Sequence, residues 1–165
     1  MNRIIVVSDS HGLVQPLEAI YERYKDTVQA FIHCGDSELP MGHPLLEVYR
    51  TVKGNVDSEP FPMTLTVDIG GRKILVTHGH KQGVRFGLGR LREFGLANNA
   101  DLVCFGHTHK PYFRDHDGVW LLNPGSIRVN RGFRRIPESF ALIEWDNDLK
   151  VTFIDVKTFE SLDIG

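Results

Sequence analysis

Five short segments of this chain carry residues that bind divalent ions, and each follows a stretch that reads as a β-strand. Asp9-Ser10-His11-Gly12 follows Ile4–Val7, Gly35-Asp36 follows Ala30–Cys34, and Gly54-Asn55-Val56-Asp57 ends a short strand. Thr77-His78-Gly79-His80 follows Lys73–Val76, and Gly106-His107-Thr108-His109 follows Leu102–Phe105. Asp9 and His11, two apart at a strand exit, can turn a carboxylate oxygen and an imidazole nitrogen toward one ion. The two oxygens of Asp36 can each bind a different cation, so this residue can bridge a pair. Asn55 offers a neutral oxygen to a metal and an amide donor to a phosphate. His107 and His109 can give imidazoles to two adjacent ions, which is the strongest single signal. Either His78 or His80 can be the ligand of its segment. His78 is preferred because it adjoins the strand, which leaves His80, like Asp57, to support the site or touch a phosphate. Taken singly, Asp9 reads equally well as the cap of the next helix, and Asp36 and Asn55 as turn residues.

The combination carries more than any one segment. Asp9, His11, Asp36, Asn55, His78, His107 and His109 are too many donors for one tetrahedral zinc. They suit two ions about 3.5–4 Å apart that share Asp36, the arrangement used for phosphate-ester hydrolysis. The expected reaction is in-line attack on phosphorus by a hydroxide held between two cations. No Ser or Cys stands beside a base in a way that calls for a covalent intermediate. Mixed carboxylate, amide and imidazole donors suit manganese first, with nickel, iron, cobalt and zinc as alternatives.

The elements that position these residues alternate in the first half as strand Arg3–Ser8, a helix from about Val14 to Tyr24, strand Ala30–His33, a short helix near Pro44–Val48 and a strand at Thr51–Lys53. A hairpin then turns at Gly70-Gly71 between 64–69 and Lys73–Thr77. The pattern predicts a helix over Val84–Ala97, strand Leu102–Gly106, strands Pro111–Arg114 and Val119–Leu122, and a closing hairpin of Phe140–Trp145 with Leu149–Val156. Strands paired both ways with helices outside give an α/β fold of two packed mixed β-sheets flanked by helices, with the active site at the C-terminal ends of strands. No repeat or linker divides the chain, which reads as one domain over residues 1–165. His33, turned away from Asp36 by strand alternation, reads as a satisfied core histidine.

At 165 residues, 41% apolar and 24% charged, this is the balance of a globular protein rather than a fibre or a disordered tail. Cys34 and Cys104 read as small core residues, since two cysteines make no disulfide framework. With only four apolar residues before the first Asp, the N-terminus predicts neither export nor membrane insertion, and a cytoplasmic location. The net charge of −2 conceals 5 basic against 10 acidic residues over 1–71, and 12 against 4 over 72–135. Within that basic middle, Arg128, Arg131, Arg134 and Arg135 follow a turn that could lie near the site and either guide an anionic substrate or form a solvated loop or subunit contact; with only Phe133 for aromatic company the second is preferred, and no dedicated nucleic-acid site is expected. A small phosphate ester is the expected partner, and a homodimer or higher homo-oligomer is the base-rate assembly.

The ordered set Asp9-x-His11, Gly35-Asp36, Gly54-Asn55, His78-Gly79 and Gly106-His107-Thr108-His109 resembles the calcineurin-like metallophosphoesterase superfamily, and the length resembles its small bacterial and archaeal phosphodiesterase branch. The resemblance implies one ion held by Asp9, His11 and His109, a second by Asn55, His78 and His107, and Asp36 bridging both. Many members read Gly-Asn-His-Asp or Gly-Asn-His-Glu where this chain has Gly54-Asn55-Val56-Asp57. Val56 cannot protonate a leaving group, help that is typically worth 10²–10⁴-fold. The small branch often lacks that histidine too, which favours a phosphodiesterase over a phosphoprotein phosphatase. The competing readings are a phosphomonoesterase or nucleotide pyrophosphatase on the same site, and a scaffold with a vestigial metal site, as in a eukaryotic retromer subunit of similar fold. All seven donor positions are intact here, which weighs against the scaffold.

Overall fold

The computed structural model describes residues 1–132 and 134–164. In chain order its elements are β1 (Asn2–Val7), α1 (Gln15–Tyr24), β2 (Ala30–His33), α2 (Leu45–Val48), β3 (Tyr49–Thr51), β4 (Thr64–Ile69), β5 (Arg72–Thr77), α3 (Gly89–Ala97), β6 (Leu102–Cys104), β7 (Tyr112–His116), β8 (Val119–Asn123), β9 (Ser139–Trp145), β10 (Lys150–Asp155) and β11 (Ser161–Leu162). They form a six-stranded sheet in the order β11-β10-β9-β1-β2-β3 and a five-stranded sheet in the order β4-β5-β6-β8-β7.

Alternation along each strand decides which layer it fills. Ile4 and Val6 of β1 join Ile74 and Val76 of β5, Leu102 and Cys104 of β6 and Ile143 of β9 in the core between the sheets. Ile5 and Val7 face the other way, onto Leu17 and Ile20 of α1. A strand buried on both faces has to be apolar at every position, and Ile4 through Val7 is such a run. On the far side, Leu75 and Val103 pack against Leu91 of α3. Cys34 and Cys104 both lie free in the central core, where burial pushes their thiols up.

The β1–β2, β2–β3, β5–β6 and β6–β8 pairs are parallel, so the exits of β1, β2 and β3 in one sheet and of β5, β6 and β8 in the other gather at one end of the sandwich. Beyond the strands the loops stay tied: Asp9 N donates to Gly35 O at 3.0 Å, His11 N to Asp36 O at 2.9 Å and Gly106 N to His78 O at 3.0 Å. No helix among the described residues is long and apolar enough to cross a membrane.

Some boundaries differ from expectation. The Val84–Ala97 helix is divided into a single 3-10 turn at Val84–Phe86 and α3, because Gly87 stands at φ 128°, ψ 165°, a conformation open only to glycine and incompatible with a helix. The Thr51–Lys53 strand lies earlier, at Tyr49–Thr51, directly after α2. Val52 N still reaches His33 O, but Lys53 N turns away to Pro62 O. The seventh strand starts one residue later and ends two residues later than Pro111–Arg114, and β11 carries no alternation that would announce it.

Candidate metal centre

Asp9, His11, Asp36, His107 and His109 all have positive φ, between 46° and 71°. Aspartate and histidine are among the few side chains that tolerate this region, at about 1–2 kcal/mol each, and five such residues in one cluster mark a site whose geometry the surrounding sheets impose. Close approach adds to this. A Cβ on Gly54 would overlap the Asp36 carboxylate, and one on Gly106 would overlap Ser8 Oγ, so only glycine lets these loops converge.

The seven sequence candidates come together as two abutting groups. In the first, His109 Nε2 lies 3.2 Å and His11 Nε2 3.8 Å from Asp9 Oδ1, and the two nitrogens are 3.4 Å apart. In the second, Asn55 Oδ1 is 3.0 Å from both His78 Nε2 and His107 Nδ1, these nitrogens are 3.2 Å apart, and Asp36 Oδ2 is 3.2 Å from His78 Nε2. Asp9 Oδ1 joins them, since it is also 3.8 Å from His78 Nε2. Asp9, His11 and His109 form one set able to hold an ion, and Asp9, Asp36 and His78 another.

The outward atoms fix the inward ones. His11 Nδ1 is 3.0 Å from Glu38 Oε2, His78 Nδ1 2.7 Å from the Cys34 carbonyl, and His109 Nδ1 3.0 Å from the Val129 carbonyl. Each of these partners accepts a hydrogen bond, so each Nδ1 donates, and in the neutral ring each Nε2 keeps its lone pair pointing inward. His11 and His109 therefore face one another lone pair to lone pair, an arrangement that a shared cation relieves. Asp9 is polarised in the same way. Its Oδ2 accepts from Ser8 Oγ at 2.5 Å and His107 N at 3.1 Å, while Oδ1, buried, has no hydrogen-bond partner among the described residues. An orphaned carboxylate oxygen among imidazole nitrogens is what a metal ligand looks like without its ion.

Electrostatics agree with this polarity. Burial would raise the Asp9 pKa, but His109, His78 and the Ser8 hydroxyl outweigh it and hold the carboxyl at about 2. Asp36 is likewise lowered against its burial by His78 and the Val56 N–H. Burial would lower the pKa of His78, yet the Asp36 and Asp9 carboxylates raise it, so a proton on Nε2 does there what a cation would do. His107 is pushed down to about 4 by burial, by His78 and by Arg85.

The remaining candidates sort differently. Asp57, expected to support the site or contact substrate, is 7% exposed. Its Oδ2 accepts from Asp36 N at 2.9 Å and Gly54 N at 2.8 Å, and its Oδ1 from Glu38 N at 2.9 Å. It clasps the Asp36 and Gly54 loops, the supporting role among those expected. His80 lies beside the site, its ring 5.4 Å from that of His78, with a buried Nδ1 that lacks a partner among the described residues. Burial and His78 lower its pKa. His33 is the satisfied core histidine expected, bonded to Ser10 Oγ and Gly35 N.

The basic run is exposed, as expected of a solvated loop, and borders the site. The chain after β8 closes the back of the site: Ser126 Oγ donates to Asp9 O at 2.8 Å, Arg131 N to His109 O at 2.8 Å, and the Arg128 guanidinium to His11 O at 3.2 Å. Arg128 and Arg131 are thus part of the site's frame. Phe133 lies outside the described residues. Ser8, Glu38, Ser126 and the Val129 carbonyl were missed, because a serine or a carbonyl has no chemistry in sequence until the fold gives it a neighbour.

The family model described as the calcineurin-like phosphoesterase superfamily domain matches residues 2–148. The chain is 43% identical over 146 residues to a probable metallophosphoesterase, YsnB, of Bacillus subtilis, covering 88% of this chain and 85% of that protein. It is 27% identical over 176 residues to the phosphodiesterase YfcE of Escherichia coli, covering 90% of each. Among solved structures, a predicted phosphoesterase of Streptococcus pneumoniae superposes with a TM-score of 0.92 at 37% identity, over 98% of this chain and 92% of that one. With a model that spans most of its length and a relative this similar, the chain belongs to the calcineurin-like phosphoesterase superfamily.

Proposed function

We propose that the protein is a dinuclear phosphodiesterase acting on small phosphate esters, with Asp9, His11 and His109 around one divalent ion, Asn55, His78 and His107 around the other, and Asp36 between them. The observation that carries this is the facing of His11 Nε2 and His109 Nε2, at 3.4 Å, beside the unpartnered Asp9 Oδ1. When bound, two divalent ions supply Lewis acidity and a water of lowered pKa, so that an in-line displacement at phosphorus needs no nucleophilic side chain. Manganese is the ion favoured for this mixed donor set, with zinc, iron, cobalt and nickel as alternatives.

The protein's own part is orientation. Cys34 O, Glu38 and Val129 O hold the imidazoles, Asp57 holds the Asp36 and Gly54 loops, and Asn55 is placed at the exposed mouth where its amide can donate to a phosphoryl oxygen. Val56, 50% exposed beside Asn55, gives no proton to a leaving group. This favours diesters whose leaving group needs little protonation.

The test is turnover of bis-p-nitrophenyl phosphate against p-nitrophenyl phosphate by EDTA-stripped protein, with and without added Mn²⁺. Metal-dependent cleavage of the diester is expected. Preference for the monoester would replace the reading with a phosphomonoesterase, and silence on both from folded protein with every divalent ion would overturn it in favour of a binding role.

A further inference from the structure

Beside the metal-ligand groups the surface sinks into a cavity of about 400 Å³ whose walls are Leu88, Phe105 and Tyr112 and whose rim carries Arg85, Lys110 and Arg131. Its volume falls in the range of small-ligand sites. The wall is firm and apolar: Phe105 is 1% exposed, its ring meets that of Tyr112 edge-on at 6.5 Å, and the Tyr112 hydroxyl is bonded to His116 Nε2 at 2.7 Å. No acidic residue lines it. Among the described residues none of the three cationic side chains has an ion-pair or hydrogen-bond partner. Three unpartnered cations around one concavity repel each other, and that repulsion becomes attraction once a multivalent anion is placed among them.

The cavity adjoins the donor atoms directly. Thr108, between His107 and His109, lines it, and its hydroxyl is fixed by Asn123 Nδ2 at 3.0 Å. Arg131 hangs from the backbone bonded to His109 O, and Arg85 is near enough to His107 to help depress its pKa. The depression beside the Asp36 and Gly54 loops is of contrary sign, lined by Glu38, Asp57, Glu59 and Val56. An anionic substituent is therefore drawn to the cavity with Arg85, Lys110 and Arg131 and repelled from this one.

We propose that this cavity is a substrate subsite for a second phosphate carried on a flat, largely apolar body, so that the preferred substrates are nucleotide-sized phosphodiesters with an additional phosphate. Arg85 and Arg131 present planar forks to the phosphate, Lys110 adds a point charge, and the half-buried Tyr112 and Leu88, backed by buried Phe105, receive the ring. The substrate assignment rests on the phosphodiesterase reading; the binding itself does not.

Two p-nitrophenyl diesters of thymidine 5′-phosphate, one with a 3′-phosphate and one without, test this with the manganese-loaded protein. The 3′-phosphorylated diester is expected to have at least a tenfold higher kcat/KM, through KM. The Arg85→Gln, Lys110→Gln and Arg131→Gln variants are each expected to cut that ratio about threefold, and the triple variant to bring it near one. Lys150→Gln, which removes an exposed charge on β10, leaves the ratio alone. Equal kcat/KM for the two esters, or a preference that survives the triple variant, overturns the proposal. A second arm is calorimetric titration with thymidine 3′,5′-bisphosphate in EDTA, which asks about the cavity without catalysis. Binding that weakens at least tenfold in the triple variant upholds the subsite even if neither ester is cleaved, and absence of binding overturns it whatever the enzyme hydrolyses.

Discussion

The two sheets bring different chemistry to the site. From the six-stranded sheet come Asp9, Asp36 and Asn55, three oxygen donors, with one imidazole, His11; from the five-stranded sheet come only imidazoles, His78, His107 and His109, with His80 beside them. The surplus of charge divides along the chain in the same sense, acidic over 1–71 and basic over 72–135. The five-stranded sheet brings no anionic donor, and neither donor group is complete within one sheet, so the candidate site lies at their seam. The side that stabilises positive charge is built apart from the side that gathers an anion, and packing the cores of the two sheets is what joins them.

Removing the anionic half should have the largest effect. Asp36→Asn keeps the shape and takes away the charge between the groups, and a fall of about 10³-fold or more in metal-dependent diester turnover is expected, as for loss of a principal transition-state electrostatic element. Steady-state kinetics at saturating Mn²⁺ measure it. Retention of a tenth of the activity would place the shared carboxylate elsewhere, with Asp9 Oδ1 the next atom in reach of both groups.

An ion at the seam should also tie the sheets together. At a hundredfold excess over its Kd a metal adds about 2.7 kcal/mol to stability, roughly 5–11 °C in Tm for a domain of this size. Thermal melts in EDTA and in Mn²⁺ test it. Because the donors come from both sheets, Asp9→Asn and His78→Ala should each abolish the shift. If only one of them did, the ion would belong to one sheet and the contrast drawn above would fail.

How much of this was legible in sequence follows the same division of labour. The candidate ligands were visible because Asp, Asn and His at successive strand exits are chemically conspicuous, and the strands because Ile4–Val7 and Leu102–Phe105 are apolar enough to be buried on both faces. What was not legible depends on contacts between distant segments. Glu38 looks like any surface glutamate until it meets His11, and Ser126 like any turn serine until its hydroxyl reaches the Asp9 carbonyl 117 residues away. For Asp57 the sequence left open support of the site or contact with a phosphate, and only the fold shows its carboxylate turned back onto three loop N–H groups. The division of Val84–Ala97 was written in Gly87, but a glycine in an apolar periodic run declares a break only when its φ is known.

Two buried histidines give the comparison opposite signs with pH. His78 stands against carboxylates and its pKa is raised, whereas His33, fully buried against Ser10 and the Gly35 amide, is pushed down by burial to about 4. The unfolded chain takes up a proton at His33 from about pH 6.5 downward, and the fold refuses it until about 4. The contribution of neutral His33 is therefore complete above pH 6.5 and is lost as pH falls from 6.5 to 4, about 2 kcal/mol of it between pH 7 and 5. Urea denaturation of metal-free wild type and His33→Gln at these two pH values should show the variant's dependence shallower by that amount. An unchanged slope would mean that His33 is not the group that titrates.

The smallest effect expected is at Glu38, where the six-stranded sheet orients its single imidazole ligand with a half-exposed carboxylate instead of a buried carbonyl. His78 and His109 donate to main-chain oxygens that no substitution removes; His11 alone depends on a side chain, 39% exposed. Glu38→Gln keeps an acceptor but removes its charge, which lowers the basicity of the imidazole without turning the ring. A loss of about tenfold in metal affinity is expected, at the lower end for such supporting contacts. Glu38→Ala, which lets the ring turn, should go further. Equilibrium dialysis against Mn²⁺ separates the two, and equal affinities for both variants would show that the Asp9 and His109 contacts suffice to hold His11, leaving the charge of Glu38 to act only on the acidic flank of the substrate cleft.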